Sequence, residues 1–380
     1  MIKLMHCADI HGRDKDIDES EKCCEFMIAT AKTSAVDLVA IAGDCFDSKD
    51  IKLDSRAAKL IIRTVSRLAD IAPVVIVKGT ESHDGNAPEV LQYAKGRFPV
   101  HVATRPEQIL MAGAVLTLIP TPTKQYFNNG SISESNESIA QAMNGLFAGF
   151  GATAEEYPDM PHILVGHWEV TGSMLPTGQT MRTGQDISIT TDQMLLANPT
   201  INVLGHIHMR QQLGDRTFYS GSLYPLNWGE NTEHGFYIHT LEGRLRVSSE
   251  FIETPCRKLA RYHVDETTDP PQIMDTDEMG NVSGAYVRID ITTWQDQANG
   301  IFKDRIIDQL MNDQGALDVD IRIIRKPRET VRSEVVLKAE TLRDKLVAMA
   351  ALNDETVSES ILAKADALEN TEPAKLLEVA

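Results

Sequence analysis

Six short stretches, IKLMHCAD, DLVAIAGD, APVVIVKG, AVLTLIPT, HILVGHW and INVLGHIH, recur over residues 1 to 252 as near-continuous apolar runs. Runs of this length, separated by segments of helical periodicity, predict strands buried on both faces of a layered α/β sheet. Between two of them, SRAAKLIIRTVSRLAD sets Ala57, Leu60, Ile61, Thr64, Val65 and Leu68 on one helical face. EKCCEFMIATAKTSA predicts another helix. RTFYSGSLY followed by GFYIHTLEGRLRVSSEFIE alternates like a hairpin that turns at Glu242 and Gly243.

The pattern changes near Thr254, where ETPCRKLARYHVDETTDPP predicts a connector rich in Pro, Thr and charge. GAYVRIDIT, FKDRIIDQLMNDQ and LDVDIRIIRKPR then predict a compact strand-helix-strand unit, and two helices close the chain. In the first of these, SEVVLKAETLRDKLVAMAAL, residues Val335, Ala339, Leu342, Leu346 and Ala350 fall near one face. Polar stretches at 121–136 and 171–186 lack periodicity and predict long loops. The expected organisation is a large domain over 1–254, a small α+β domain over 255–332, and C-terminal helices over 333–380.

Composition narrows the class. The chain is 42% hydrophobic and 24% charged, and its five cysteines form no C-x-x-C pair. That is an ordinary globular balance, and the cysteine usage predicts a reducing, cytoplasmic setting. The chain opens directly into a strand, and no apolar run approaches the roughly 18 residues of a membrane span, so no targeting or membrane segment is expected. The net charge of −18 changes the picture more. Nucleic acid is repelled by such a chain on average, so contact with DNA requires a local basic patch, bound metal or a partner protein. Arg257, Lys258, Arg261, Arg322, Arg325, Lys326, Arg328 and Arg332 are the candidates for backbone phosphate contacts, against the plain reading of a solvated charged face.

Five of the six apolar runs lead into Asp or His: Asp9 and His11, Asp44 and Asp47, His83 and Asp84, His167, and His206 and His208. Ligands of open α/β sheets gather beyond the carboxyl ends of the strands, so these side chains are expected to meet in one crevice. Ser82, His83 and Asp84 are adjacent but cannot form a nucleophile triad, because neighbours in extended chain point to opposite faces. Mixed imidazole and carboxylate donors suit Mn²⁺, Fe²⁺ or Zn²⁺, and a carboxylate can bridge two ions. Two such ions activate hydroxide and clamp a phosphoryl group, which makes phosphate-ester hydrolysis the expected reaction. Each motif alone is weak, and His6, His101, His162, His234, His239 and His263 lie outside the pattern as core or surface residues.

In their order, D-x-H, GD-x-x-D, the Gly…His-Asp turn, an isolated His and GH-x-H resemble the calcineurin-like metallophosphoesterases. GDCFD, YSGSLYPL and GENTEHGFYIHTL resemble the SbcD-type nuclease subunit of the DNA double-strand-break repair complex. The resemblance covers residues 1 to about 240. It implies a four-layer α/β/β/α sandwich with a small capping domain, and a Mn²⁺-dependent exonuclease or endonuclease. The implied partners are DNA and an SMC-like (SbcC/Rad-type) ATPase docked by the C-terminal helices, with a homodimer in reach. It also implies two divalent ions: one held by Asp9, His11, Asp44 and His208, with Asp44 bridging, the other by His167, His206 and a residue of the GTESHD turn. His83 would be a non-ligand acid with Asp84 orienting its ring. Gly221 and Ser222 would lie near the substrate strand, with Arg325, Lys326 and Arg328 on its backbone.

The chain departs from the family at one place. Gly-Asn-His-Asp is usual there, whereas this turn has two extra residues and no Asn. Ser82, directly before His83, is the expected replacement donor, and Glu81 the alternative. Two other functions stay open: a phosphoesterase for small phosphodiesters or phosphoproteins, and a degenerate fold used as a binding scaffold.

Overall fold

The computed structural model describes residues 1–122, 136–175, 189–230, 232–268, 281–297, 303–327, 334–352 and 355–369. All six apolar runs form strands, but they divide between two sheets. The first has β1 (Ile2–Cys7), β2 (Leu38–Ile41), β3 (Val74–Val77) and β4 (Val100–Ala103) side by side and parallel. The second has β5 (Glu107–Met111), β6 (Ala114–Ile119), β7 (His162–His167), β8 (Ile201–Gly205), β9 (Gln211–Leu213) and β10 (Thr217–Tyr219) in the order β5-β6-β7-β8-β10-β9. Within it β6, β7 and β8 run parallel. The hairpin of β11 (Gly235–Glu242) and β12 (Arg246–Glu253) joins the first sheet beside β1, antiparallel, turning at Gly243 with φ +62°. The chain is therefore mixed α/β with parallel sheets.

Strand alternation explains why the runs are apolar throughout. Leu4, Leu38, Ala40 and Val75 on the first sheet share one core with Leu116, Ile163, Val165 and Val203 on the second. Met5, Cys7, Val39, Ile41 and Ile76 face the other way, onto α1 (Ile17–Thr33) and α2 (Arg56–Ala69). On the second sheet, Leu164 and Leu204 pack with Met143 and Phe147 of α3 (Asn136–Ala154) and Met194 of α4 (Thr191–Leu195). Each aliphatic side chain fully buried this way contributes roughly 1.5–3 kcal/mol. α2 buries the six residues its periodicity selects, together with Ala58 and Ala69, and Ser55 caps it by accepting the Ala58 N–H at 3.1 Å.

Beyond the hairpin, the segment expected as a connector contains β13 (Lys258–Asp265). From Ala260 to Val264 exposure alternates, with Arg261 and His263 outward, so this is a strand whose outer face is basic. β14 (Ala285–Trp294), α5 (Lys303–Asp308) with a π turn at Gln309–Asp313, and β15 (Asp318–Lys326) follow, and β13-β14-β15 form a third sheet. The next helix is interrupted: α6 (Glu334–Lys338) stops, and Thr341 accepts the Asp344 N–H at 3.0 Å while donating to its carboxylate, starting α7 (Leu342–Leu352) afresh. α8 (Glu359–Glu369) is last, and Asp366 and Glu359 both pair with Arg343 of α7.

The chain divides into two compact units, one of Met1–Val264, Met274–Asp290 and Phe302–Arg322, the other of Asp265–Ile273, Ile291–Ile301 and Ile323–Ala380. Among the described residues no helix is long and apolar enough to cross a membrane. Every candidate ligand lies in the first unit.

Candidate metal centre

Parallel neighbours end side by side, and here their ends carry the chemistry. Asp9 and His11 follow β1, Asp44 follows β2, the turn from Gly79 to Asp84 follows β3, His167 ends β7, and His206 and His208 follow β8. Backbone bonds tie these loops together: Asp9 N–H donates to Gly43 O at 3.1 Å and His11 N–H to Asp44 O at 3.0 Å. His206 N–H donates to both oxygens of Asp9 at 3.0 and 3.1 Å. Asp9, His11, Asp44 and His206 all take positive φ, at 50°, 45°, 48° and 95°. Such backbone costs about 1–3 kcal/mol per residue and persists only where its surroundings enforce it. Glycine completes the packing. A Cβ on Gly79 would stand 2.1 Å from Asp44 Oδ1, and one on Gly43 would stand 2.3 Å from His167 Nδ1.

Three overlapping groups result: Asp9, His11 and His208; Asp9, Asp44 and His167; and His11, Asp47 and His83. In the first, His11 Nε2 and His208 Nε2 face each other at 3.1 Å, each 3.9 Å from Asp9 Oδ1. Glu230 fixes the tautomer of His208 by accepting its Nδ1–H at 2.9 Å, which leaves Nε2 a lone pair. Buried Glu230 is itself held by Leu226 N–H at 2.8 Å and Asn227 Nδ2 at 2.6 Å. In the second group, His167 Nδ1–H donates to Ala42 O at 2.7 Å, and Nε2 points at Asp44 Oδ2, 3.2 Å away. That nitrogen is fully buried and has no hydrogen-bond partner among the described residues. Asp44 also stands 3.8 Å from His11 Nε2, and so borders both of these groups.

A lone pair facing a carboxylate oxygen is repulsive unless a proton or a cation lies between them. The protonation behaviour says the same. Burial opposes charge on His167, yet Asp44 and Asp9 outweigh it and push its pKa up to about 9. Burial drives Asp9 up to about 6, against His167 and His208, with Asp44 adding to the rise. For Asp44 burial is opposed and overcome by His167 and His11, so its carboxyl stays well below the usual range. Buried carboxylates crowded this closely call for positive charge. Imidazole nitrogens with fixed tautomers and carboxylate oxygens are a donor set that fits divalent transition-metal ions, and these His and Asp groups could hold one.

His83 sits beside them, its ring 4.6 Å from that of His11 and edge-on. Its Nδ1–H donates to Asp47 O at 3.0 Å. His11 Nδ1 has no hydrogen-bond partner, and Asp47 Oδ1 lies 3.7 Å from it. A cavity of about 250 Å³ reaches Asp47 and Arg13. Another cavity, about 810 Å³, is lined by Glu230, His234, Thr254 and Arg257 and touches no candidate ligand.

Several expectations need correction. Ser82 is exposed, and its Oγ reaches Thr80 Oγ1 at 3.4 Å rather than any ligand. Asp84 does not orient His83. It is fully buried and accepts the N–H groups of Asp44, Phe46 and Gly79 at 3.1, 3.1 and 2.7 Å, clamping two ligand loops together. Burial and the nearby Asp44 push its pKa up to about 7 against those N–H bonds. His206 packs against His167, ring centroids 5.3 Å apart, but belongs to none of the convergent groups. Gly221 and Ser222 are buried, not on a substrate face: Ser222 N–H donates to His208 O at 3.2 Å, and its Oγ donates to Tyr224 O at 3.0 Å. Arg325 and Lys326 are exposed on β15 in the second unit, with Lys326 paired to Asp265 at 3.1 Å. Arg328 and Arg332 lie outside the described residues.

Two functional residues escaped sequence reasoning. Glu230 stands in the GENTEHG stretch, where nothing local marks it as the partner of a histidine 22 positions earlier. Thr80 directly follows the glycine that approaches Asp44, and that adjacency was its signal.

No family model and no curated protein matches the chain. Among solved structures it is similar to GAP50, the anchor in the inner membrane complex of Plasmodium, at 14% identity over 67% of this chain and 85% of that one, with a TM-score of 0.43. It is also similar to the sulfate thiohydrolase SoxB of Thermus thermophilus, at 11% identity over 67% of this chain and 58% of that one, with a TM-score of 0.34. Both likenesses are distant.

Proposed function

We propose that the chain is a divalent-metal phosphodiesterase of the calcineurin-like metallophosphoesterase type, acting as an SbcD-type nuclease on DNA ends in repair or recombination. The observation that carries this reading is the pair of buried groups in which the Nε2 atoms of His11, His167 and His208 face Asp9 and Asp44. The shared core between two sheets, with helices packed on their outer faces, supports the four-layer α/β/β/α sandwich. On this reading residues 1–254 are the nuclease domain, 255–332 cap the DNA, and 333–380 dock an SMC-like ATPase in the cytoplasm.

Two divalent ions, Mn²⁺ first among them, would be held by Asp9, His11, Asp44 and His208 and by Asp44 and His167. When bound they supply Lewis acidity toward a phosphoryl oxygen and a lowered pKa for attacking water. The chain's own residues do the rest. Glu230 and Ala42 O keep His208 and His167 in the tautomer that presents Nε2. Asp84 holds the loops of Asp44 and Gly79 at fixed separation. His83, anchored through Nδ1, delivers the proton from Nε2 to the departing sugar oxygen.

The test is release of nucleotides from linear DNA with Mn²⁺, with and without the ATPase subunit, beside the His83→Ala variant. Cleavage that requires Mn²⁺ and His83 supports the reading; none in any arm sinks it. One observation favours small phosphodiesters instead: four basic residues expected on DNA are already paired, Arg257 with Asp16 at 2.8 Å, Arg261 with Asp290 at 2.6 Å, Arg322 with Asp320 at 3.4 Å and Lys326 with Asp265 at 3.1 Å. Hydrolysis of cyclic nucleotides without DNA degradation would select that alternative. A chain that binds no cation would be a scaffold.

A further inference from the structure

Of the turn residues ahead of His83, one reaches the ligand carboxylate that borders both groups. Thr80 N–H donates to Asp44 Oδ1 at 2.7 Å, and Thr80 Oγ1 lies 3.1 Å from Oδ1 and 3.2 Å from Oδ2. A hydroxyl has one proton and two lone pairs, so near-equal approach to both oxygens leaves one oxygen without its hydrogen. Asp44 Oδ2 is also the atom 3.2 Å from His167 Nε2, which is fully buried and unpartnered. A hydroxyl oxygen and an imidazole nitrogen thus both stand 3.2 Å from one carboxylate oxygen.

The neighbours in the turn are otherwise engaged. Glu81, the anionic alternative, is exposed and pairs with Lys78 at 2.7 Å. Ser82 Oγ is one step removed, 3.4 Å from Thr80 Oγ1. Gly79 makes the approach possible, since any side chain there would collide with Asp44.

We propose that Thr80 Oγ1 is the neutral oxygen ligand of the second cation subsite, beside Asp44 and His167, in the place where the resembling family has an amide. This rests on the reading that the strand ends hold divalent cations. The two extra residues Glu81 and Ser82 then lengthen the turn after the ligand rather than before it. A hydroxyl is a poorer donor than an amide oxygen, so the two cations bind unequally and the Thr80 subsite fills second.

A role in merely orienting Asp44 is the competing account, and cobalt spectroscopy separates the two. Thiolate is a metal ligand with its own sulfur-to-cobalt absorption. In the Thr80→Cys variant a new charge-transfer band, absent from the native protein with its five cysteines, is expected on adding Co²⁺. Ser82→Cys should give none. By Mn²⁺ titration followed calorimetrically, Thr80→Val should weaken the second binding event about tenfold or more, while Thr80→Ser and Thr80→Asn keep it. Co²⁺ bound by Thr80→Cys without the band, a band in Ser82→Cys, or Thr80→Val titrating like the native protein would each overturn the assignment. Those results leave the metal centre standing, whereas a native protein that binds neither Mn²⁺ nor Co²⁺ removes both.

Discussion

Two sets of histidines are buried around strand β1, and they are built in opposite ways. His6 lies on the strand and His239 on its neighbour β11, both fully buried. Their rings stack at 5.6 Å, with Tyr237 on His6 at 6.3 Å. Every ring nitrogen in this pair has a protein partner: Leu204 O for His6 Nε2, Ser249 Oγ for His239 Nδ1, and each other at 3.4 Å. Burial drives the pKa of His6 down to about 3 and that of His239 well below its usual value, so both are neutral. His11 and His167 are as deeply buried, yet each keeps one nitrogen without a partner among the described residues: His11 Nδ1, 3.7 Å from half-buried Asp47, and His167 Nε2, 3.2 Å from buried Asp44. Burial alone therefore does not mark a site. An unpartnered nitrogen facing a carboxylate does.

The sharpest way to separate the sets is to remove one histidine from each role. On the proposed mechanism, in which His83 moves a proton rather than joining His11 and Asp47 around an ion, His83→Ala should lower phosphodiester hydrolysis by about 10²–10⁴-fold with cation binding intact. Loss of cation binding in a rapid-equilibrium titration would reassign it as a ligand. Glu230→Gln should weaken the cation at His11 and His208 by about 10–100-fold, since the glutamate fixes the His208 tautomer. An unchanged titration would make Glu230 a purely structural residue.

On the other side of the comparison, His239→Ala should cost about 1–3 kcal/mol of stability in urea unfolding, by leaving His6 Nδ1 unpaired, and should not alter cation binding. The remaining effect is one of pH. His6 is neutral in the fold with its pKa near 3, while the unfolded chain takes up a proton at about 6.5. The unfolded state binds more protons between those values, so stability falls as pH drops from 6.5 toward 3, by about 1.4 kcal/mol per pH unit from this group. His6→Phe should flatten that slope; an equal slope in the variant would place the acid sensitivity elsewhere.

Much of the frame could be read from the residues. The six apolar runs fall on β1, β2, β3, β6, β7 and β8, and the α2 face from Ala57 to Leu68 follows from helical spacing. What failed failed for physical reasons. β13 hid because Arg261 and His263 fill its outer face and interrupt Ala260, Tyr262 and Val264. The α6–α7 break depends on Thr341 capping Asp344, a local contest that periodicity does not register. At the site, strand ends named the ligand types, but counting back from His83 chose Ser82. The backbone instead presents Thr80, because Gly79 lets that residue lie against Asp44. Asp84 was given to His83 by adjacency, whereas burial with three N–H donors makes it a clamp.

Equilibrium dialysis of the purified native chain and of Asp44→Asn against Mn²⁺, with bound metal counted, addresses the buried His and Asp groups most directly. Asp44 borders both, so the native chain should retain two Mn²⁺ of unequal affinity, and the variant should lose the second and weaken the first. A native chain that retains no more Mn²⁺ than Asp44→Asn would contradict the metal centre itself.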